Sequence, residues 1–513
     1  MDQAVSTSSL LYACAAYILT LLVVERVRRS FRPPTPPGPK GYPIVGNILD
    51  VPSERIWEGY HKLAKRYGDM VYLEAFGQPI LVLSSLKRVN DLFEKRSNIY
   101  SDRPHSTMIN ELMNFKGFLG LIPYGSWWKR HRRAFQQSAK PFDLPKHHPL
   151  MVKYCGKLLK DVLANPEGWS DSVRQVFSGM TVELTYGVET DSPDDPFVRD
   201  IVEVAEGFSM AALPGRWLVD TFPSLKYVPS WLPGAGFKRF AEHFKVLHER
   251  SRNESFDHVL RAMKNGTSVP CMVTSLVNAF PPPDDPRRGE EEEIARNIAA
   301  VTHAAGTDTT LGSALTFYLL MALHPDIQRK AQEELDQVVG PGRLPDIEDR
   351  DKLVYYNAVL KELMRYHQVT PMALPHRLTQ DDIYDGYFIP KGTIVMANSW
   401  HILHDQELYE DPWSFKPERY IKDGKIDTAV LDPSSATFGF GRRICPGRFI
   451  SADSLFLLFT YTLAFYDITA AKDHNGKPTI KYEIPDGALL KPKPFDCYIT
   501  PRSKEAEAFI RSL

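Results

Sequence analysis

Residues 438–447 read FGFGRRICPG, with three glycines, two phenylalanines and two arginines around the single thiol of Cys445. Glycine permits positive φ and close approach of backbone to a bound group. A loop of this kind can aim amide N–H groups at a sulfur and offset the charge of a thiolate, the form of cysteine that binds metals. A tight turn around a buried cysteine, acting as a small hydrophobe, uses the same letters. The loop alone leaves both readings open.

The second polar concentration is AAGTDTT, residues 304–310. Asp308 and the hydroxyls of Thr307, Thr309 and Thr310 interrupt an apolar stretch, and such groups cost stability in a core unless paired or wet. Gly306 costs about 1 kcal/mol relative to alanine inside a helix, and helical threonines can bond back to the preceding turn and bend it. Together they predict a local opening where a small ligand or water sits. The alternative is a solvent-facing stripe, against which apolar neighbours on every helical face count. His303 stands beside the opening, with a satisfied core histidine as its default reading.

In AVLKELMRYH, Glu362 and Arg365 lie three apart and share a helical face. Arg419, in FKPERY, is a second arginine able to complete a bidentate network around Glu362, although such pairs are usually surface pairs of little worth. YGSWWKRHRRAF, residues 124–135, holds five basic side chains and two tryptophans. Trp128 and Arg132, four apart, share one face; Lys129 and Arg133 share the adjacent one. Basic residues interleaved with aromatics can suit nucleic acid. An anionic cofactor on one face and an acidic protein partner on the other is equally economical.

The elements that must position these residues follow from proline and charge. No proline occurs from Glu290 to His324, which predicts one helix about 50 Å long at 1.5 Å per residue. Four glutamates suit its positive N-terminal end, and Pro325 marks its end. From Gln3 to Val24 there is no charge, and LLYACAAYILTLLVV is almost wholly apolar; about 20 such residues span a bilayer. Arg26, Arg28, Arg29 and Arg32 follow, which orients the rest of the chain to the cytosol. The positive n-region and small-residue cleavage site of a signal peptide are absent. RPPTPPGPKGYPIVGN, residues 32–47, is expected to be a stiff, extended spacer. Residues 213–237 form a proline-broken run with Trp217, Phe222, Tyr227 and Trp231, read as a second membrane contact or as a buried loop.

Composition bounds the rest. The chain has 513 residues, 43% hydrophobic, with a net charge of −1, which gives no support for nucleic-acid binding. Five scattered cysteines without a CxxC pair argue against a disulfide framework or a cysteine-rich zinc site. A lone ligating cysteine then needs a cofactor that brings the other ligands. No Gly/Ser linker, repeat or low-complexity tract divides the middle, so the expected organisation is an anchor at 1–25, a basic and proline-rich hinge at 26–47, and one catalytic domain at 48–513.

These residues, taken together, resemble a cytochrome P-450, a haem-thiolate monooxygenase of the membrane-bound microsomal type. WxxxR at Trp128–Arg132, AGxDTT at 305–310, ExxR at Glu362–Arg365 and FGxGRRxCPG at 438–447 occur in the family's order, over essentially the whole chain. The wording, including PPGPKGYPIVGN and ALPH, is most similar to fungal enzymes of specialised metabolism. The resemblance implies a mainly α fold with smaller β-sheets. It implies haem b whose iron is ligated by the Cys445 thiolate, the ligand that favours O–O cleavage. Phe438 would shield the sulfur, and Trp128, Arg132, His376 and Arg443 would meet the haem propionates. Asp308 and Thr309 match the proton-delivery pair; Glu362, Arg365 and Arg419 match the structural triad. The implied reaction is RH plus O2, two electrons and two protons to ROH and water, on a lipophilic terpenoid, polyketide or aromatic substrate.

The same resemblance implies electrons from an NADPH-cytochrome P-450 reductase, with cytochrome b5 as a second donor. Lys129, Arg130, Arg133, Arg442 and Arg448 would steer that acidic partner. The implied location is the endoplasmic reticulum membrane, single-pass, with a cytosolic catalytic domain and no nucleic-acid partner. The wall segments expected are 104–118, Val301 to Ala305, Val369 to Pro375 and Gly487 to Leu490. Two rivals are an isomerase or dehydratase needing no O2, against which the Asp308–Thr309 pair argues, and a non-catalytic haem binder. Ser451 departs from the alanine usual in the family six residues after the cysteine.

Overall fold

The computed structural model describes residues 32–513 apart from 139, 191, 193, 194, 214 and 341, and, in the preceding segment, 16 and 20. Apart from residues 16 and 20, the expected anchor at 1–25 and the first basic residues of the hinge lie outside the described residues.

The helices that enclose the site are α1 (Ser126–Ser138), α2 (Trp169–Tyr186), α3 (Pro196–Ala211), α4 (Gly236–Lys264), α5 (Arg288–Leu323), α6 (Val354–Tyr366) and α7 (Arg448–Phe465). The proline-free stretch is indeed one helix: α5 has 36 residues and runs through the middle of the core. Its N-terminal half buries Ile294, Ile298 and Val301 against Val182, Leu184 and Phe256. Its C-terminal half buries Leu311, Phe317 and Leu320 against Val173 and Phe177 of α2 and Phe456 and Phe459 of α7. Phe317 and Phe459 stack with centroids 3.7 Å apart. Helix α7 is apolar on all sides, the signature of a helix buried all round. Among the described residues it alone is long and apolar enough to cross a bilayer, yet Phe456 through Phe459 are fully buried in protein.

Sheets are small, so the architecture is mainly α with minor β, as expected. The largest has four strands in the order β1 (Met70–Ala75), β2 (Gln78–Leu83), β4 (Ile394–Ala397), β3 (His376–Arg377). β1 and β2 are antiparallel around Phe76 and Gly77, both at positive φ, the backbone that two-residue hairpin turns require. β2 runs parallel to β4, pairing Ile80 with Ile394, and β3 closes the edge with His376 opposite Val395. The sheet thus ties the first hundred residues to the last third and fixes where His376 stands.

The proline-rich segment does not stand free of this sheet. Tyr72 N–H donates to Pro37 O at 2.8 Å. The Asn47 side chain donates to Pro39 O and accepts from Glu74 N–H, each at 3.0 Å. Proline cannot pair as a strand, so side-chain and single backbone bonds hold the segment against β1.

Candidate active site

Three of the four motifs place key residues on one cavity of about 700 Å³, within the range of ligand and cofactor sites, and the fourth reaches it only through Leu363 and Met364, between Glu362 and Arg365. α5 supplies one wall with Val301, Ala304, Ala305, Gly306 and Thr309; the cysteine loop supplies another with Phe438, Gly439, Cys445 and Pro446. Trp128 and Arg132 of α1, His376 of β3 and Arg443 line it as well.

The cysteine loop has the geometry its glycines predict. Gly441 sits at φ 58°, and a Cβ there would lie 2.1 Å from Phe93 O, so only glycine allows the loop to cross the helical turn at Asn90–Lys95. Cys445 N–H donates to Phe438 O at 2.8 Å, closing the loop on itself. Burial pushes the Cys445 thiol up, while the N–H groups of Gly447 and Arg448 and the positive charges of Arg132 and Arg448 pull the other way. Burial prevails, and a bound metal cation would offset it, since a coordinated thiol is deprotonated. Of the other described cysteines, Cys155 and Cys271 are buried in helical cores, and Cys497 lies on a strand pairing with Ala470; the cavity wall contains none of them.

The rim is cationic. Arg132 donates to Ile444 O at 2.7 Å. Arg443 donates from Nε to Ser101 O and from Nη2 to Ile122 O, lies 4.5 Å over the Trp128 ring, and leaves Nη1 buried without a partner. An orphaned guanidinium N–H in a wall that also carries Arg132 fits a carboxylate-bearing cofactor. His376 is the weaker candidate: its Nδ1 is 2.6 Å from Tyr100 O, and burial with Arg103 nearby pushes the ring well towards neutrality. Arg103, which sequence reasoning missed, is buried in the same wall and donates to the carbonyls of Gly120, Leu374 and Pro375. The donor set and the buried sulfur fit haem.

On α5, Thr309 donates back to Ala305 O at 2.7 Å, and Thr307 donates to His303 O while touching the Thr181 hydroxyl at 2.8 Å. His303 is buried outside the cavity against Tyr186 and is pushed down to about 3 by burial; it is a core histidine, as expected, but not a satisfied one, since its Nε2 has no hydrogen-bond partner among the described residues. Asp308 is buried too, outside the cavity wall, with Oδ1 2.7 Å from Lys491 Nζ. That contact is an ion pair without hydrogen-bond alignment, since Oδ1 has no aligned donor. The cavity therefore brings Thr309 to Cys445 and leaves Asp308 one position away on another helical face. Ser451 has its hydroxyl 3.4 Å from that of Thr310, a bridge that alanine would not make.

Glu362, Arg365 and Arg419 meet away from solvent. Both carboxylate oxygens of Glu362 accept from Arg365 at 2.8 Å, and Oε2 also accepts from Arg419 Nε at 3.0 Å. Glu362 Oε1 takes Lys416 N–H as well. Of the basic face, Lys129, Arg133 and Arg442 are exposed. Arg130 turns away, to Glu290 at 2.5 Å and Glu291 at 2.8 Å, because the acidic start of α5 lies beside it; it is not a free member of that face.

The expected wall segments supply Phe115, Phe118, Val301, Ala305, Val369, Thr370, Leu374 and Leu489. Met180, Thr181 and Leu184 of α2 and Val204, Ala205 and Phe208 of α3 complete it. These were not legible, because an apolar residue on an amphipathic helix carries no mark that its neighbour is a cavity.

Comparison with known proteins shows the family. The family model for cytochrome P450 matches residues 36–498. The chain is 40% identical over 515 residues to cytochrome P450 monooxygenase COX1 of Coprinopsis cinerea, covering 99% of both chains. It is 38% identical to cytochrome P450 monooxygenase 98 of Postia placenta, over 99% of this chain and 98% of that protein. It is also 38% identical to tryptamine 4-monooxygenase of Psilocybe cyanescens, over 94% of this chain and 95% of that protein. The chain belongs to the cytochrome P450 family and is a haem-thiolate monooxygenase.

Proposed function

We propose that this protein inserts one oxygen atom from O2 into a lipophilic small molecule in fungal specialised metabolism. The observation that carries the reading is the Cys445 sulfur in one wall of a largely apolar cavity whose other wall is the Thr309 turn of α5. Haem, when bound, supplies the oxygen-activating chemistry, converting RH, O2, two electrons and two protons into ROH and water. Cys445 is the metal ligand. Arg132 and Arg443 hold the propionates with Trp128, and His376 joins them once an anion offsets its burial. Phe438 covers the sulfur. Thr309 holds a proton at its hydroxyl on the substrate side, and Asp308 replenishes it. Glu362, Arg365 and Arg419 hold the backbone behind the cysteine loop. Apolar walls exclude water and orient a terpenoid, polyketide or aromatic substrate.

Electrons come from an NADPH-dependent reductase, or from cytochrome b5, docking on the exposed Lys129, Arg133 and Arg442. Residues 1–25 anchor the chain in the endoplasmic reticulum membrane. A second contact is supported by Ile44, Leu218, Tyr227 and Trp231, which are 95%, 65%, 77% and 77% exposed, and by Phe76 and Phe222, whose rings meet at 5.7 Å. Apolar exposure of that extent marks an interaction surface; within the run at 213–237, Phe222, Tyr227 and Trp231 are exposed, whereas Val219 and Ala235 are buried and Trp217 packs against Phe240. The test is the carbon monoxide difference spectrum of the reduced, membrane-expressed protein. A strongly red-shifted Soret band that disappears in Cys445→Ala is expected; haem bound without that band would overturn the reading.

A further inference from the structure

Asp308 raises a question the cavity does not answer: a buried acid that replenishes protons needs a connection to solvent, yet it faces away from the cavity. We propose that Lys491 is a positioning residue for Asp308, holding the acid at the solvent end of the proton route and linking it to the cavity wall. The inference rests on the role given to Asp308 above.

Lys491 is 24% exposed while Asp308 is 3% exposed, and their charged atoms are 2.7 Å apart. The lysine therefore spans from solvent to the buried carboxylate. Its path is set by Gly312, one helical turn after Asp308 and on the same face. A Cβ at position 312 would lie 2.9 Å from Leu490 O and 3.5 Å from Lys491 Cγ. The segment 489–491 thus crosses α5 in direct contact, with the lysine stem laid over Gly312 and its ammonium reaching back to Asp308.

That crossing segment is fastened on both sides. Leu490 N–H donates to Val369 O at 2.7 Å, and the Leu490 side chain is buried. Leu489, next to it, lines the cavity, and its N–H lies 3.4 Å from Ser209 Oγ of α3. Val369 lines the cavity too and would touch the same Cβ at position 312, at 3.3 Å. A molecule pressing on Leu489 or Val369 therefore loads the segment that carries Lys491. The ion pair is made to respond: Asp308 Oδ1 has no aligned donor, so the pair is held by charge and not by a directional bond. When the carboxylate takes a solvent proton (from hydronium, leaving water) at the Lys491 end and gives it up towards Thr309, its charge returns and the ion pair re-forms, so acid and lysine both end the cycle unchanged.

The test uses the full-length holoprotein in phospholipid nanodiscs with its reductase and no added substrate. NADPH-driven O2 consumption is measured in H2O and D2O, and hydrogen–deuterium exchange is followed in peptides covering 304–313 and 486–493. Lys491→Met is expected to slow O2 consumption by about 10-fold, less than the roughly 10²- to 10⁴-fold of a group that transfers the proton itself, because Lys491 acts through Asp308. It should also raise the solvent isotope effect and speed exchange in both segments, with the carbon monoxide spectrum unchanged. Lys491→Arg should restore the rate and isotope effect. Should Lys491→Met lose the spectrum, Lys491→Gln, which keeps the stem and removes the charge, is measured in its place. Wild-type isotope effect and exchange in the lysine variant, with Asp308→Asn impaired, would overturn the inference alone. Wild-type behaviour of Asp308→Asn would overturn the role of Asp308 on which it stands.

Discussion

Glu362→Gln tests how much of the fold hangs on one buried carboxylate. Glu362 and Arg365 are fully buried and Arg419 is 7% exposed. Arg365 also donates to Leu403 O, Pro412 O and Ser414 O, so its guanidinium is fixed and cannot retreat to solvent. The substitution leaves two guanidinium groups buried without a counter-charge. It also turns an amide NH2 towards donors that now meet a donor: Arg365 and Lys416 N–H on one side, or Arg365 and Arg419 on the other. Breaking a buried pair by removing one partner costs about 3–5 kcal/mol, a large part of the roughly 5–15 kcal/mol that a domain commands. Urea unfolding followed by tryptophan fluorescence should show a lowered midpoint at unchanged slope, together with reduced haem content. A stability within about 1 kcal/mol of wild type, with full haem content, would refute the reasoning that an uncompensated charge is left behind.

Thr309→Ala should raise peroxide released per NADPH while the thiolate spectrum persists; unchanged peroxide with a turning-over substrate would remove Thr309 from proton delivery. Cys497→Ala and Cys155→Ala should each keep the red-shifted carbon monoxide band that Cys445→Ala loses. His248 and His367 are held at about 4, and His303 and His404 at about 3, all by burial. A lowered folded pKa means the unfolded chain binds protons first, so their contribution is whole above about pH 6.5 and is lost as pH falls towards those values, by up to ~1.4 kcal/mol per pH unit for each ring. Thermal unfolding from pH 7.5 down to 5 should show it, and a flat profile would count against neutral burial. Asp220 accepts from Ser106 Oγ and Met108 N–H, each at 2.9 Å, capping the turn at Thr107–Leu112 from the neighbouring segment. Asp220→Ala should cost about 1 kcal/mol, as helix caps do. Faster amide exchange at 105–112, with an intact spectrum, would be the sign of it.

The sequence by itself determined the chemistry and its helical carriers. Cys445 is legible only in company, because the glycine-rich loop alone also suits a tight turn and it took the other three motifs in order to decide; α5 is legible because 36 residues without proline and with glutamates at the start have one stable local form. Trp128 with Arg132, and Glu362 with Arg365, are legible as shared faces, since helical spacing is a local rule. Tertiary structure decided what local rules cannot carry. Whether Glu362 meets Arg419 depends on a contact 57 positions away. Whether Arg130 is free depends on which way α5 presents Glu290 and Glu291. Which charge the buried Asp308 meets was set by Lys491, 183 residues later, through a crossing over Gly312. Spacing fixes which side chains share a face; only the packed neighbours fix what that face meets.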